Sequence, residues 1–218
     1  TPLARAARHM VDLNLQSARR QFRWLAVLAS VLGLLSAWGA RDHVIWMLEV
    51  LPVFLIAGAA WRLDWTPSVF LGRWMFFHAI VLIVGAHYTY AEVPAGAWVA
   101  EWLGQTRNPY DRLGHLMQGV VPALMIREWL LRGPAAGAVG LTAWAGVCFA
   151  GAFSAAYEIF EWGSAILLGQ AADAFLGSQG FVWDTQADML CAFLGAAFAM
   201  WVLGPWHRRS LTELLPAA

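Results

Sequence analysis

The apolar and polar positions divide the chain into long water-avoiding stretches joined by short polar ones. Apolar runs occupy residues 24–40, 44–61, 69–88, 113–131, 136–168 and 187–203. A helical crossing of a bilayer takes roughly 20 apolar residues, so each run is long enough, or nearly so, to span. The pattern predicts an all-α fold, a polytopic transmembrane helical bundle of about six crossings over residues 24–204. Ahead of it, residues 1–23 interleave apolar positions with Arg5, Arg8, Arg19, Arg20 and Arg23, which predicts an amphipathic helix in the membrane interface. No small-residue cleavage site closes the first apolar run, so the start is not read as a cleavable signal peptide. Residues 205–218 are expected to form a short tail.

Composition sharpens this reading. Of 218 residues, 60% are hydrophobic and 13% charged, against about 45–50% and about 25% in a soluble domain. Too few polar side chains are present to cover a water-facing surface. The 14 basic residues, all of them Arg, balance 14 acidic ones without forming a basic block. Nucleic-acid binding is thereby excluded, because it needs clustered cations on one face. With six crossings, most Arg residues fall on the side of the two termini, leaving Arg41, Arg107 and Arg112 on the other. The excess of positive charge places both termini in the cytoplasm. Connections 91–110 and 169–186 then face outward, and the second, with Gly169, Gly177 and Gly180 among aromatic residues, is expected to dip back into the protein.

Ionisable residues at membrane depth are costly, so each is a candidate for function. Asp111 and His115 stand four apart at the start of the fourth run, Glu158 and Glu161 three apart late in the fifth, and Asp184 and Asp188 four apart at the start of the sixth. Each pair shares one helical face. His87 ends the third run. Topology puts all seven residues at one membrane face, whichever way the protein is inserted. Five carboxylates crowded in low dielectric repel unless they take up protons or share a cation. A divalent metal ion is therefore the candidate ligand, with Asp111, His115, Glu158, Glu161, Asp184, Asp188 and His87 as candidate ligating groups and Zn, Mn, Fe, Mg or Ca all compatible. His115 or Glu158 would be the general base in a catalytic site.

Plainer roles compete with this one. Asp111 and Asp184 begin helices, where a carboxylate caps free backbone amides. Arg107 or Arg112 could pair with Glu158 or Asp184 in a structural network. His78 and Glu49 lie inside apolar runs, His78 being expected as a hydrogen-bonded buried side chain. Arg127 and Glu128 are expected as a local pair or interfacial anchor. Cys148 and Cys191 lack CxxC spacing and are expected as buried thiols.

Four stretches carry a family resemblance: Asn108 to His115 followed by Arg127-Glu128, His87 to Pro94, Tyr157 to Trp162, and Leu176 to Met189. In this order they resemble the YjdF-type bacterial inner-membrane proteins, a family without an established activity. After Gln179-Gly180 this chain has Phe181 where a polar residue is expected. More remotely, the succession of Asp-x-x-x-His, a carboxylate on the next crossing, then Asp-x-x-x-Asp resembles the VanZ-like membrane proteins. That likeness implies cell-envelope lipid chemistry at Asp111, His115, Glu158 or Glu161, Asp184 and Asp188. The resemblance implies a multi-pass inner-membrane protein with membrane lipids as partners. Three functions stay open: a site for a divalent metal and a polar lipid head group, a non-catalytic subunit with membrane-protein partners, and a proton-coupled transporter using Glu49 as a second station.

Overall fold

A computed structural model describes residues 2–63, 65–133, 137–168 and 178–215. Among these residues the chain is helical throughout and has no strand. In order come α1 (Pro2–Ser36), α2 (His43–Arg62), α3 (Val69–Tyr88), a 3-10 turn (Tyr90–Glu92), α4 (Pro94–Trp102), α5 (Tyr110–Arg132), α6 (Val139–Leu168), α7 (Asp184–Trp201) and α8 (Gly204–Thr212). By length and composition α2, α3 and α6 can each cross a membrane, and α7 with α8, bent 55° apart, makes a fourth candidate as one broken span. Leu55, Leu141, Ile159 and Leu194 are exposed on the outside of the bundle, where only hydrocarbon suits them.

Local chemistry sets several boundaries. Asp42 caps α2, its Oδ1 accepting from the amides of Val44 at 2.7 Å and Ile45 at 3.0 Å. Ser68 caps α3 through the Leu71 amide. Helix α4 lies within the stretch expected as an outward loop. Its sequence signals are Pro94 in the first turn and Gly104 at φ +64° just past the end. It leaves Trp98 and Trp102 exposed, as suits an aromatic pair at the membrane interface. Helix α1 continues without a break across residue 23, where an interfacial helix and a first crossing were expected to meet.

Helix α5 is the most buried of the set and packs on α3, α6 and α7. Its contact with α7 is backbone against backbone. A Cβ added at Gly119 would fall on the Ala192 carbonyl, and one added at Gly195 on the Leu116 carbonyl. Ala192, Gly195, Ala196 and Ala199 form a buried small-residue stripe on α7, which lets membrane helices approach this closely.

At one end of this crossing the polar groups form a knot in which both oxygens of Glu128 have donors. Glu128 is fully buried; its Oε1 accepts from the Ser68 amide at 2.9 Å and Arg132 Nη1 at 3.2 Å. Its Oε2 lies 3.0 Å from Nε2 of the fully buried His207, whose Nδ1 is 2.8 Å from Arg127 Nη1. A guanidinium can only donate, so His207 accepts at Nδ1 and donates its Nε2–H to Glu128. Arg127 and Glu128 are thus joined through His207, about 80 positions away in sequence, and not as the local pair expected. The stretch expected as a tail is helical through Thr212 and buries His207 and Leu211. The thiols also differ from expectation: Cys148 is exposed and Cys191 half-buried, because an apolar run in a spanning helix faces lipid as well as protein.

Replacing Glu128 with Ala strands Ser68, Arg132 and His207 and is expected to cost about 3–5 kcal/mol. Gly119→Val forces α5 and α7 apart at a cost of at least about 1–3 kcal/mol. Denaturant unfolding in detergent micelles checks both, and wild-type stability in Gly119→Val would contradict the close crossing.

Candidate functional site

The other end of the same crossing is built differently. Asn108 organises the entry to α5: its Nδ2 donates to the Val93 carbonyl at 2.9 Å and its Oδ1 accepts from the Tyr110 amide at 3.0 Å. Gln179 clamps the Asn108 backbone, accepting from its N–H at 2.9 Å and donating to its carbonyl at 3.0 Å. Gln179 and Gly180 have φ of 47° and 81°, the left-handed turn that aims the amide side chain back. The clamp holds Arg107 between two helices. Arg107 Nη2 donates to Asp111 Oδ2 at 3.2 Å, Nη1 donates to the Ser178 carbonyl at 3.2 Å, and Nη1 also makes an ion pair with Asp184 Oδ1. Phe181 lies beneath two guanidiniums, 5.7 Å from Arg107 and 5.5 Å from Arg112. An aromatic face suits that position through cation–π attraction.

The carboxylates expected as caps do not cap. Pro109 and Trp183 stand at the cap positions of α5 and α7, with no side-chain cap bond. Asp111 and Asp184 instead turn to Arg107 and the interior. His115, on the next turn of α5, has Nε2 3.6 Å from Asp111 Oδ1 and Nδ1 3.6 Å from Glu158 Oε1. The Gln118 Oε1 acceptor 3.0 Å from Nδ1 makes Nδ1 the protonated nitrogen and leaves the Nε2 lone pair open. Two sets of potential metal ligands share this imidazole: Asp111, His115 and Asp188, and His115, Glu158 and Glu161, each with ligand atoms within 4.8 Å of one another. Glu158 Oε1 and Asp188 Oδ1 are buried without a hydrogen-bond partner.

Six of the seven expected residues therefore gather: Asp111, His115, Glu158, Glu161, Asp184 and Asp188, all buried. His87 stands apart, its Nδ1 2.7 Å from the Ser36 carbonyl and its ring edge-on to Tyr88. It fastens the end of α3 to the end of α1.

Glu49 joins the site from α2. It is 3% exposed, with the Tyr157 hydroxyl 3.5 Å from its Oε2 and the Tyr90 hydroxyl also bonded to it. Burial, and then the Glu49 carboxylate, push the Tyr90 phenol well above its ordinary range, so it remains a proton donor. Thr89, at φ 61°, turns Tyr90 inward, and Gly85 and Gly114 leave room for the ring. Glu49, Tyr90, Asp111, His115, Gln118, Tyr157 and Glu161 line the polar part of a cavity of about 390 Å³ whose remaining wall is mostly apolar. His78 borders the same cavity. No spacing pattern linked Tyr90, Gln118, Tyr157 or Gln179 to the acids, although Tyr157 adjoins Glu158 and Gln118 stands one helical turn after His115. Of the stretch 169–186 expected to dip inward, residues 169–177 lie outside the described residues, and 178–183 form the turn carrying the Gln179 clamp.

Arg107→Gln leaves Asp111 and Asp184 without their shared cation. The expected loss is about 3–5 kcal/mol. Denaturant unfolding of Arg107→Gln beside wild type in detergent micelles tests this, and wild-type stability in the variant would contradict the role of the shared cation.

Residues 21–209 match the family described as "Predicted membrane protein (DUF2238)". The chain is also 48% identical over 176 residues to "Inner membrane protein YjdF" of Escherichia coli (strain K12), covering 79% of this chain and 83% of that protein. No solved structure matches.

Proposed function

The chain belongs to this family of membrane proteins, and on that premise we propose that it is an inner-membrane protein whose buried carboxylate and histidine cluster holds a divalent cation and, through it, the polar head group of a lipid. The observation that carries the reading is the pair of buried, unpartnered oxygens, Glu158 Oε1 and Asp188 Oδ1, one in each of the two ligand sets that share His115. Buried polar atoms ordinarily have partners, and a cation at either set would supply one while relieving repulsion among the acids. Asp111, His115 and Asp188 are the first set of ligands, with Glu158 and Glu161 alongside. Oxygen-rich donors with one imidazole suit Mn, Zn or Fe, with Mg and Ca following from the carboxylates. In a catalytic version of the site Glu158 would be the general base, because His115 keeps its proton on Nδ1 and would give Nε2 to the cation, and the cation would supply polarisation of a hydroxyl or water.

The membrane arrangement in this reading has six crossings, α1, α2, α3, α5, α6 and α7, with both termini in the cytoplasm. Supporting it, Arg19 and Arg132 meet at Thr66, and Arg127 reaches His207, all at the end away from the acidic cluster. The location follows the relative's description as an inner-membrane protein.

Elemental analysis of detergent-purified protein after metal addition tests the proposal. Near-stoichiometric metal in wild type and its loss from both His115→Ala and Asp188→Asn, with folding retained, are expected. Equal metal content in all three would overturn it. A second reading, proton passage, is favoured by Glu49 bordering the same cavity as Asp111 and Glu161. It predicts that Glu49→Gln abolishes proton flux in proteoliposomes, and flux indifferent to Glu49 would dismiss it.

A further inference from the structure

We infer that a lipid with an amine-bearing head group enters this protein sideways, between α2 and α6, laying one hydrocarbon chain along the cavity wall and its ammonium group at Glu49 and Glu161. The inference rests on the head-group half of the function proposed above and names its substrate class.

Helix packing provides the entrance. Helix α2 packs on α1 and α3, whereas α6 packs on α5 and α7, yet both α2 and α6 border the cavity. Their facing side chains, Leu55 and Ile56 on α2 with Phe149 and Phe153 on α6, line the cavity and are 63%, 38%, 44% and 44% exposed. Side chains that are at once cavity wall and outer surface mark an opening. Both helices are apolar enough to span a membrane, so the opening faces acyl chains at hydrocarbon depth.

Charge selects the head group. At the inner end stand Glu49, Asp111 and Glu161 with His115, and no Arg borders the cavity among the described residues. Arg107 and Arg112 lie beyond, engaged with Asp111, Asp184 and Phe181. A metal at Asp111, His115 and Asp188 leaves Glu49 and Glu161 facing the cavity. At Glu49 and Glu161 an anionic group would meet two acids with no arginine beside them, while an ammonium group complements them. The volume of about 390 Å³ lies in the range of small-molecule sites, about 300–1,000 Å³, enough for a head group with part of one chain.

The test uses the protein in phosphatidylglycerol vesicles doped with phosphatidylethanolamine carrying a diazirine on one acyl chain, or with phosphatidylglycerol carrying the same chain. After illumination, labelled peptides are mapped by mass spectrometry. The ethanolamine lipid is expected to label 52–57 of α2 and 149–153 of α6 at least about five-fold more than the glycerol lipid. Ile56→Trp, which fills the entrance from its outer side, is expected to lower that labelling by a similar factor, whereas Leu194→Trp on the far surface leaves it unchanged. Glu161→Gln is expected to remove the preference between lipids while labelling persists. Equal labelling by both lipids in wild type, labelling spread evenly around the bundle, or indifference to Ile56→Trp would overturn the inference. Metal content measured on the same samples separates the two proposals. Selective labelling without metal upholds lateral entry and dismisses the metal site, and bound metal with unselective labelling does the reverse.

Discussion

The close crossing of α5 and α7 is the constraint on which the rest of the molecule depends. Gly119 against the Ala192 carbonyl and Gly195 against the Leu116 carbonyl fix the two backbones in one register. That register decides which polar residues meet. Toward the start of both helices it sets Asp111 and His115 beside Asp184 and Asp188; toward the other end it sets Arg127 and Glu128 against His207 on α8. In hydrocarbon, apolar burial cannot drive helices together as it does in water, so close packing and internal polar bonds decide the arrangement. Here small residues supply the first and the polar ends supply the second.

The two polar ends solve the problem of buried charge in opposite ways. Around Glu128 both carboxylate oxygens have donors, and His207 is fixed in a single tautomer by an arginine that cannot accept. Such a network holds elements together and leaves neither oxygen of Glu128 without a donor. Around His115 the acids outnumber the cations, and oxygens of Glu158 and Asp188 are left without donors. Buried carboxylates with unused acceptors contribute little to holding the helices together. The contrast within one chain separates the knot from the site more sharply than burial alone, since Glu128 is more deeply buried than Glu158.

Much of this was legible in the sequence because it repeats at helical spacing. The apolar run 69–88 coincides with α3, and the pairs Asp111/His115, Glu158/Glu161 and Asp184/Asp188 announced shared faces that the fold then brings together. Connectivity alone was enough to expect those helix ends side by side, and the structure brings six of the seven residues together. It was not enough for His87, which has the right height but the wrong azimuth and bonds to Ser36 instead. Glu49 was missed as a member of the site for the complementary reason, since its helix reaches the cluster only through the tilt and packing of α1 to α3. Asp111 and Asp184 show the limit of positional rules: both stand where caps are common, yet Arg107 attracts their carboxylates away from the backbone. The knot at Glu128 was invisible because a single histidine some 80 residues away completes it.

Helix α1 runs unbroken through 35 residues, about 52 Å at 1.5 Å per residue, well beyond a hydrocarbon thickness of about 30 Å. Its exposed Arg5 and Arg8 and the cavity-lining Phe22, Ala26 and Ala29 therefore belong to one stiff rod. No proline or glycine lies between them to absorb a bend. The wall of the cavity and the basic start of the chain are thereby two parts of one lever, and neither changes its angle without the other.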